Sequence, residues 1–168
     1  MPSFARELVE LLPRARRFAW VLTRSHHDAE DVVQAAVERA LKHADSWERG
    51  TRLDSWLFRI MQNLWRDELR SHRRRSEPLE MAADIVGMDG RDVAIRHIQS
   101  MQATAALAEL PDEHRTVIGL VVMEGMSYQE AAEILDIPIG TVMSRLARAR
   151  ARLASTLGDA PPRVRAAK

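Results

Sequence analysis

The chain has 168 residues, with 25 lysines and arginines against 24 aspartates and glutamates, and no cysteine. This length suits one domain or two small ones with real hydrophobic cores, and the lack of cysteine excludes disulfides, thiolate metal sites and thiol catalysis. No apolar run approaches the roughly 20 residues that span a bilayer, and the N-terminus lacks the apolar core of a signal peptide. We therefore expect a cytoplasmic protein without membrane insertion.

Charge is nearly balanced overall, but it is unevenly distributed along the chain. Arginines gather in residues 66–75 and 145–152, whereas acids gather in residues 28–31 and 77–92. Separate surfaces of opposite sign indicate more than one partner. Glycine and proline are sparse and no alternating strand pattern occurs, so the sequence predicts an all-α fold.

The first two predicted helices each carry a continuous apolar face. The first extends from Leu8 to Leu22, and we expect Pro13 to kink it without ending the pattern. The second begins at Asp28, because negative charge is favoured in the first turn of a helix. Its predicted buried face consists of Val32, Val33, Ala36, Val37, Ala40 and Leu41.

A polar loop containing Trp47 precedes the longest predicted helix, which extends from Asp54 to about Arg74. A tryptophan in such a loop either binds a partner from a rigid scaffold or packs back onto the bundle, and the sequence leaves both interpretations open. Trp56 is assigned to the core, whereas Trp65 fits either the core or a binding surface. The apolar inner stripe of this helix consists of Leu57, Ile60, Met61 and Leu64.

The outer stripe of the same helix is basic and contains one amide. Proteins bind nucleic acid, including unpaired strands, with arginines that contact phosphates, amides that contact base edges and aromatic rings that stack on bases. We therefore predict a nucleic-acid-binding face on this helix. Its residues are Arg59, Asn63, Arg66, Arg70 and Arg73.

Residues 76–92 interrupt the helical pattern with one proline, two glycines and five acids against a single arginine, and they read as a flexible acidic linker. Helical spacing resumes near Val93, and another helix is predicted from Pro111 to Met123. The chain is therefore divided into a helical domain at 1–75, a linker at 76–92, a second helical domain at 93–158 and a short tail at 159–168.

Residues 127–153 predict a helix-turn-helix. Ser127 and Glu130 form a capping box, in which each side chain satisfies a backbone N–H that the first helical turn leaves unpaired. Pro138 ends this helix, because the residue before a proline is pushed out of the α region. The same proline suits the first turn of a second helix, since it has no N–H to lose there.

The second helix of this motif has one apolar and one basic face. Its inner positions are Val142, Leu146, Ala149 and Leu153, and its free stripe is Thr141, Ser144, Arg145 and Arg148. No acidic residue occurs between positions 140 and 157. The alternative is an ordinary helical hairpin with a solvated basic face, but solvated helices usually mix signs, so we favour a recognition helix that enters the major groove.

Five motifs, in this order along the chain, resemble the extracytoplasmic-function (ECF) sigma factors, which are small bacterial transcription initiation factors. The resemblance covers nearly the whole chain, and it implies two helical domains, called sigma domain 2 and sigma domain 4. The motifs are HDAEDVVQ at 27–34, WLFRIMQN at 56–63, LPDEHRTV at 110–117, SYQEAAEIL at 127–135 and GTVMSRLARAR at 140–150.

For the first domain the resemblance implies two contacts, one with polymerase and one with the −10 promoter element. The residues that would dock on the clamp helices of the polymerase β′ subunit are Asp28, Asp31 and Gln34. Ala35 stands where the family usually has an acidic residue. Trp47 and Asn63 resemble the pocket that holds bases flipped out of the −10 non-template strand. The residues that resemble those lying along this element and its upstream duplex are Arg59, Arg66 and Arg70.

For the second domain the resemblance implies −35 recognition in the major groove by Thr141, Ser144, Arg145 and Arg148. The acidic linker resembles the segment that follows the RNA exit path of polymerase. Asp136 stands where the family usually has a glycine in the turn, and aspartate can adopt the left-handed conformation needed there. Implied partners are core RNA polymerase, through its β′ clamp helices and β flap, promoter DNA, and an anti-sigma factor.

No catalytic residue, cofactor or metal is predicted, and the chain is not expected to be an enzyme. Residues 26–30 hold two histidines and two acids, but adjacent residues at a helix start point in different directions, so we interpret them as a solvated cap. The alternative function is a stand-alone helix-turn-helix transcriptional regulator, and a further possibility is a sigma-like decoy that binds only a regulator. The basic stripe of the long helix and the acidic docking helix argue against the first, and the intact basic faces argue against the second.

Overall fold

The computed structural model describes residues 3–75 and 94–158, and within these ranges all regular structure is helical, which confirms the all-α prediction. The predicted linker at 76–92 and the tail at 159–168 lie outside the described residues. A 3₁₀ turn follows the second helix, and a π-helical turn follows the fifth. The helices are α1 (Phe4–Thr23), α2 (His26–Lys42), α3 (Leu53–Arg75), α4 (Ala94–Glu109), α5 (Asp112–Ile118), α6 (Tyr128–Leu135) and α7 (Ile139–Leu157).

We call α1–α3 the N-terminal module and α4–α7 the C-terminal module. Serine side chains begin the first two helices: Ser3 accepts from the Arg6 N–H at 3.4 Å, and Ser25 accepts from the Asp28 N–H at 3.2 Å. Because Ser25 supplies this cap, α2 begins at His26 rather than at Asp28. Across the described helices, none is long and apolar enough to cross a membrane.

Most residues of the apolar faces predicted for α1 and α2 are buried, and Leu11, Leu12 and Val37 are half-buried against the core. In α2, Val32, Val33, Ala36 and Ala40 are buried. Leu41 is 51% exposed, so its assignment to the core is wrong. The helical periodicity of apolar residues continues to Leu41. It does not show where the neighbouring helices that cover this face of α2 end.

The two tryptophans of α3 have different environments. Trp65 is 5% exposed and belongs to the hydrophobic core, which settles the choice that the sequence left open. Trp56 is half-buried and packs against the core, with its ring centroid 6.2 Å from that of Phe4. Tryptophan side chains on α3 therefore hold this helix against its neighbours.

The C-terminal module departs from the predicted pattern between Ile118 and Met123. The sequence predicts an uninterrupted helix to Met123, whereas α5 gives way to a π-helical turn at Gly119–Met123. The Glu124 N–H donates to the Gly119 carbonyl at 3.0 Å, which is the i to i+5 pattern of a π turn. The local widening precedes the loop that leads into α6.

One hydrophobic core is shared by the two modules. Within the N-terminal module the Phe18 and Phe58 rings lie 4.9 Å apart between α1 and α3. The cluster continues into Val117 and Leu120 of the C-terminal module, because α1 packs against α5 and α3 packs against α6. The modules therefore close on one another instead of forming two separate cores.

Two buried acids and two partly exposed arginines form a network at this junction. Asp54 is 7% exposed, and it accepts hydrogen bonds from Arg14 at 2.8 Å and from Arg52 at 2.7 Å. Arg14 also donates to Glu124 at 2.8 Å. Burial by itself would raise the pKa of Asp54, but hydrogen bonds from Arg52 and Arg14 outweigh it and hold that pKa below its ordinary value.

Replacing Asp54 with asparagine should lower the free energy of unfolding at neutral pH by about 1–3 kcal/mol, because charge-assisted hydrogen bonds to two guanidinium groups are weakened. A carboxyl whose pKa is lowered on folding stabilises the protein fully above its unfolded value, near 3.8. This stabilisation is lost as the pH falls through the lower folded value. Urea unfolding measured across the acid range should therefore give a shallower pH dependence for Asp54→Asn than for the wild type.

Glu10→Gln is the matched control, because Glu10 forms an exposed pair with Arg6 at 3.5 Å. Exposed pairs contribute little, so this variant should change the free energy of unfolding by less than about 0.5 kcal/mol. Equal effects of the two substitutions would contradict a special role for the buried carboxylate.

Candidate nucleic-acid interface

The turn between α6 and α7 has the geometry that its sequence predicts. Ser127 Oγ accepts from the Glu130 N–H at 3.1 Å, and Glu130 Oε2 accepts from the Ser127 N–H at 2.7 Å, which completes the capping box. Asp136 lies in the left-handed region with φ 54° and ψ 51°. Pro138 caps the start of α7 with extended backbone, so the two helices meet at a tight corner.

The four residues predicted to contact the −35 element lie on the outer face of α7 and differ in their exposure to solvent. Arg148 and Ser144 are exposed, whereas Thr141 and Arg145 are half-buried. Ser144 Oγ donates to the Thr141 carbonyl at 3.1 Å, and Arg145 Nη2 lies 3.1 Å from Glu113 Oε2 of α5. Three of the four side chains therefore have protein contacts or partial cover, and Arg148 extends most freely into solvent.

His114, on α5, reports the electrostatic field beside this face. Its pKa is lowered first by burial and then by the positive charges of Arg152, Arg148 and Arg145. The contribution of three guanidinium groups to the lowered pKa of His114 marks a positive surface, which is suited to phosphate. Sequence reasoning did not select His114, because its proximity to α7 is a tertiary contact.

The residues of α3 predicted to contact the −10 element differ in whether they already bond to the protein. Arg59, Asn63 and Arg70 are exposed. Arg66 is half-buried, and its Nη2 donates to the carbonyl of Leu135 in α6 at 3.0 Å. In this arrangement Arg66 contacts the other module, whereas the other three residues remain accessible.

A cavity of about 790 Å³ opens beside Trp47. The Trp47 ring is half-buried, with its centroid 5.5 Å from that of Phe4, and its Nε1 has no hydrogen-bond partner among the described residues. Phe4, Asp45 and Arg49 line the cavity with Trp47, whereas Asn63 is not among its lining residues. The structure thus provides a cavity at Trp47 without bringing Asn63 to it, and it adds Phe4, which the sequence reasoning missed.

The predicted docking residues lie at the start and along the outer side of α2. Asp31 and Gln34 are exposed, and Asp28 is half-buried. Gln34 Nε2 donates to Glu38 Oε1 at 3.0 Å, and His27 Nε2 lies 3.8 Å from Asp31 Oδ2. Among the described residues no group of three or more histidines, cysteines and acids is arranged to hold a metal ion.

The basic faces of α3 and α7 meet at one cavity of about 460 Å³. Arg66, Arg70 and Arg73 line it from the N-terminal module, and Arg145 lines it from the C-terminal module together with Glu113. The two predicted DNA-reading surfaces are therefore adjacent, although the sequence places them some seventy positions apart.

Family comparisons divide the chain where its sequence motifs do. A family model described as Sigma-70 region 2 matches residues 8–75, and one described as Sigma-70, region 4 matches residues 100–153. The ECF RNA polymerase sigma factor EcfG of Rhodopseudomonas palustris is 34% identical over 157 residues, covering 92% of this chain and 85% of that protein. The sigma factor SigW of Bacillus subtilis is 35% identical over 144 residues, covering 79% of this chain and 77% of that protein.

Two solved structures superpose on this chain over most of its length. The sigma factor RpoE in complex with the anti-sigma factor NepR, from Bartonella quintana, superposes with a TM-score of 0.78 and 32% identity, covering 94% of this chain and 98% of that one. CnrH in complex with the cytosolic domain of CnrY superposes with a TM-score of 0.65 and 25% identity, covering 92% of this chain and 86% of that one.

The left-handed residue of the turn gives an ordered series of variants. Glycine enters this region freely, aspartate at a modest cost and alanine at a larger one. We expect Asp136→Gly to be more stable than the wild type and Asp136→Ala to be less stable, each by about 0.5–1 kcal/mol in urea unfolding. Asp136→Asn keeps the backbone tolerance and removes the charge at the end of α6, so it separates the two effects. An alanine variant as stable as the glycine variant would contradict this account.

Proposed function

The chain belongs to the ECF sigma factors of the sigma-70 family, and from this premise we propose that its C-terminal module reads the −35 element while its N-terminal module captures the −10 element. It is a promoter-recognising factor that acts with core RNA polymerase, which supplies the catalysis. The observation that carries the division of labour is the presence of one exposed arginine face in each module, on α7 and on α3.

For the −35 element, α7 offers a recognition helix with a free arginine at the centre of its outer face. Arg148 is exposed, and the positive surface beside His114 attracts phosphates from either side. Arginine bonded bidentately to guanine is the commonest specific contact in the major groove. Arg148 would therefore discriminate between bases. Thr141, Ser144 and Arg145 would position α7 in the major groove.

For the −10 element, the cavity at Trp47 supports capture of an unpaired base. Extruding a base from duplex costs a few kcal/mol, and a pocket that binds the flipped base offsets this cost. Arg59 and Arg70 are exposed along α3 for the phosphates of the same strand, with Asn63 between them. Capture shifts the equilibrium toward the open duplex without hydrolysis of any cofactor.

For polymerase, α2 presents Asp31 and Gln34 to solvent and Asp28 at its first turn. We propose that these residues dock on the clamp helices of the β′ subunit and that the C-terminal module contacts the β flap. Ala35 removes one acidic contact, so the remaining residues would carry more of the docking energy. The acidic residues 76–92 would follow the RNA exit path, which accommodates polyanions.

The proposal includes an anti-sigma factor and action in the cytoplasm. The sigma factor RpoE, whose fold this chain shares, is described in complex with the anti-sigma factor NepR. A stand-alone helix-turn-helix regulator is the less favoured alternative, because the match to Sigma-70 region 2 spans residues 8–75 and includes both α2 and α3.

Reconstitution with core RNA polymerase and a promoter library tests the proposed function. The full chain should direct transcripts that begin at fixed positions downstream of shared −35 and −10 sequences, and polymerase without it should not. A lack of promoter-specific transcripts would refute the sigma function, whereas operator binding that is equally tight without polymerase would favour the stand-alone regulator.

Arg148→Ala should reduce discrimination at one position of the −35 element by about 1–3 kcal/mol, because a side chain that contacts a base edge is lost. Arg150→Ala is the matched control, since Arg150 is also exposed on α7 but lies outside the i, i+3, i+4 stripe. It should weaken binding uniformly across sequences. Competition transcription from single-base −35 variants measures both effects, and equal loss at every base for Arg148→Ala would reject a reading role.

A further inference from the structure

The start of α7 carries an exposed apolar flank that lies away from the stripe of Arg145 and Arg148. Ile139 and Met143 are 40% and 48% exposed, and residues four apart are neighbours on a helix surface. Single exposed apolar residues are ordinary on proteins. These two, however, adjoin in the first turns of the second helix of a helix-turn-helix, where the residues that contact base edges are found.

The buried residues of α7 fix the direction in which Met143 extends. Val142, Leu146 and Ala149 are buried and define the inner side of the helix. At about 100° per residue, Met143 lies about 100° from Val142 around the helix axis, and Arg148 lies about 120° from Val142 in the other direction. Met143 and Arg148 are therefore on opposite flanks of the outer face.

Small residues occupy the part of α7 between these two flanks. Gly140, Ser144 and Ala147 are exposed there, and a Cβ atom added at Gly140 would meet no atom within 4 Å. Small side chains let a helix approach base edges closely. The longer side chains on each flank, Met143 on one and Arg148 on the other, then reach the bases.

Both flanks of a recognition helix contact DNA, because the helix fills the groove. The major groove is about 12 Å wide, and a helix with its side chains is about 10–12 Å across. When Arg148 contacts a base on one side, Met143 is enclosed on the other. The flank of Met143 continues to Arg150, two turns further along, which is exposed and suited to a backbone phosphate.

The charge of α7 favours DNA over a protein surface as the cover for this apolar flank. No acidic residue occurs between positions 140 and 157, so the surroundings of Met143 are positive or neutral along the helix. The apolar group that base pairs present in the major groove is the C5-methyl group of thymine. Methionine is unbranched and flexible, and its side chain adapts to an irregular apolar contact.

We propose that Met143 contacts the C5-methyl group of a thymine in the −35 element, on either strand. In this arrangement α7 recognises two kinds of base, guanine through Arg148 and thymine through Met143. The inference rests on the proposed function, since it requires α7 to enter the major groove. Ile139, one turn earlier, extends the same apolar flank.

Replacing thymine with deoxyuridine tests the contact, because it removes the methyl group and leaves every hydrogen-bonding atom of the base in place. The −35 element selected from the promoter library is synthesised with one deoxyuridine at each thymine position of either strand in turn. Competition binding to the full chain with core RNA polymerase gives the affinity ratio of each pair of duplexes. At one position deoxyuridine should weaken binding by the wild type about threefold to fivefold, as expected for one exposed methyl group.

Met143→Ala should lose this dependence, so that its affinities for the thymine and deoxyuridine duplexes at that position become equal. The substitution is compatible with the fold, because Met143 is exposed and alanine favours helix. Met143→Leu retains an apolar side chain that reaches the base, and it should keep a preference for thymine of about twofold or more.

Leu157→Ala is the matched control. Leu157 is also an apolar residue of α7 and is 43% exposed, but it lies about 21 Å further along the helix axis than Met143. This variant should keep the full preference of the wild type for thymine over deoxyuridine.

Three results would overturn the contact with thymine. They are a wild type insensitive to deoxyuridine at every position, a Met143→Ala variant that keeps the full preference for thymine, and a selected −35 element without any A·T pair. Weaker association of Met143→Ala with core polymerase at an unchanged methyl response would place the flank on a protein surface, and would likewise overturn it. A library that yields no shared −35 sequence would instead reject the proposed reading of this element as a whole.

Discussion

Unpaired carbonyl groups at helix C-termini are the constraint around which the two modules meet. Every helix leaves such groups at its end, and a buried carbonyl without a partner costs about 1–3 kcal/mol. The ends of α1, α4 and α6 lie at or near the junction, where guanidinium groups of the opposite module reach them. A change in the register between the modules would break these three hydrogen bonds. The shared apolar core then fills the space that this register leaves.

Arginine can serve both the closed chain and promoter DNA, since the same planar donor array fits carbonyl, carboxylate and phosphate oxygens. Arg66 bonds the end of α6, and Arg145 pairs with Glu113, although both lie on faces that resemble DNA-binding surfaces. Arg59 and Arg148 are exposed by contrast. Packing of the modules therefore occupies Arg66 and Arg145 and leaves Arg59 and Arg148 exposed to solvent.

Local features of the structure could be predicted from the sequence, whereas the contacts that join the modules could not. The capping box and the left-handed Asp136 each depend on residues a few positions apart, so their geometry can be read directly from the chain. Arg115 reads as an ordinary helix residue, yet its partner carbonyl in Val21 lies 94 positions away. Gly119 is equally hidden, because only the approach of Val21 in α1 explains why a glycine stands there. Exposure of Leu41 escaped prediction for the same reason, since it depends on which helices lie nearby.

The polar and apolar parts of the junction oppose opening to different degrees. Each arginine hydrogen bond across the junction replaces hydrogen bonds to water, so its net contribution is only about 0.5–1.5 kcal/mol. The arginine contacts therefore determine how the modules are aligned more than how tightly they associate. Apolar faces of α1, α3, α5 and α6 that separate must be hydrated, at about 25 cal/mol for each Å² exposed. The apolar faces therefore hold the two modules together more strongly than the arginine contacts do.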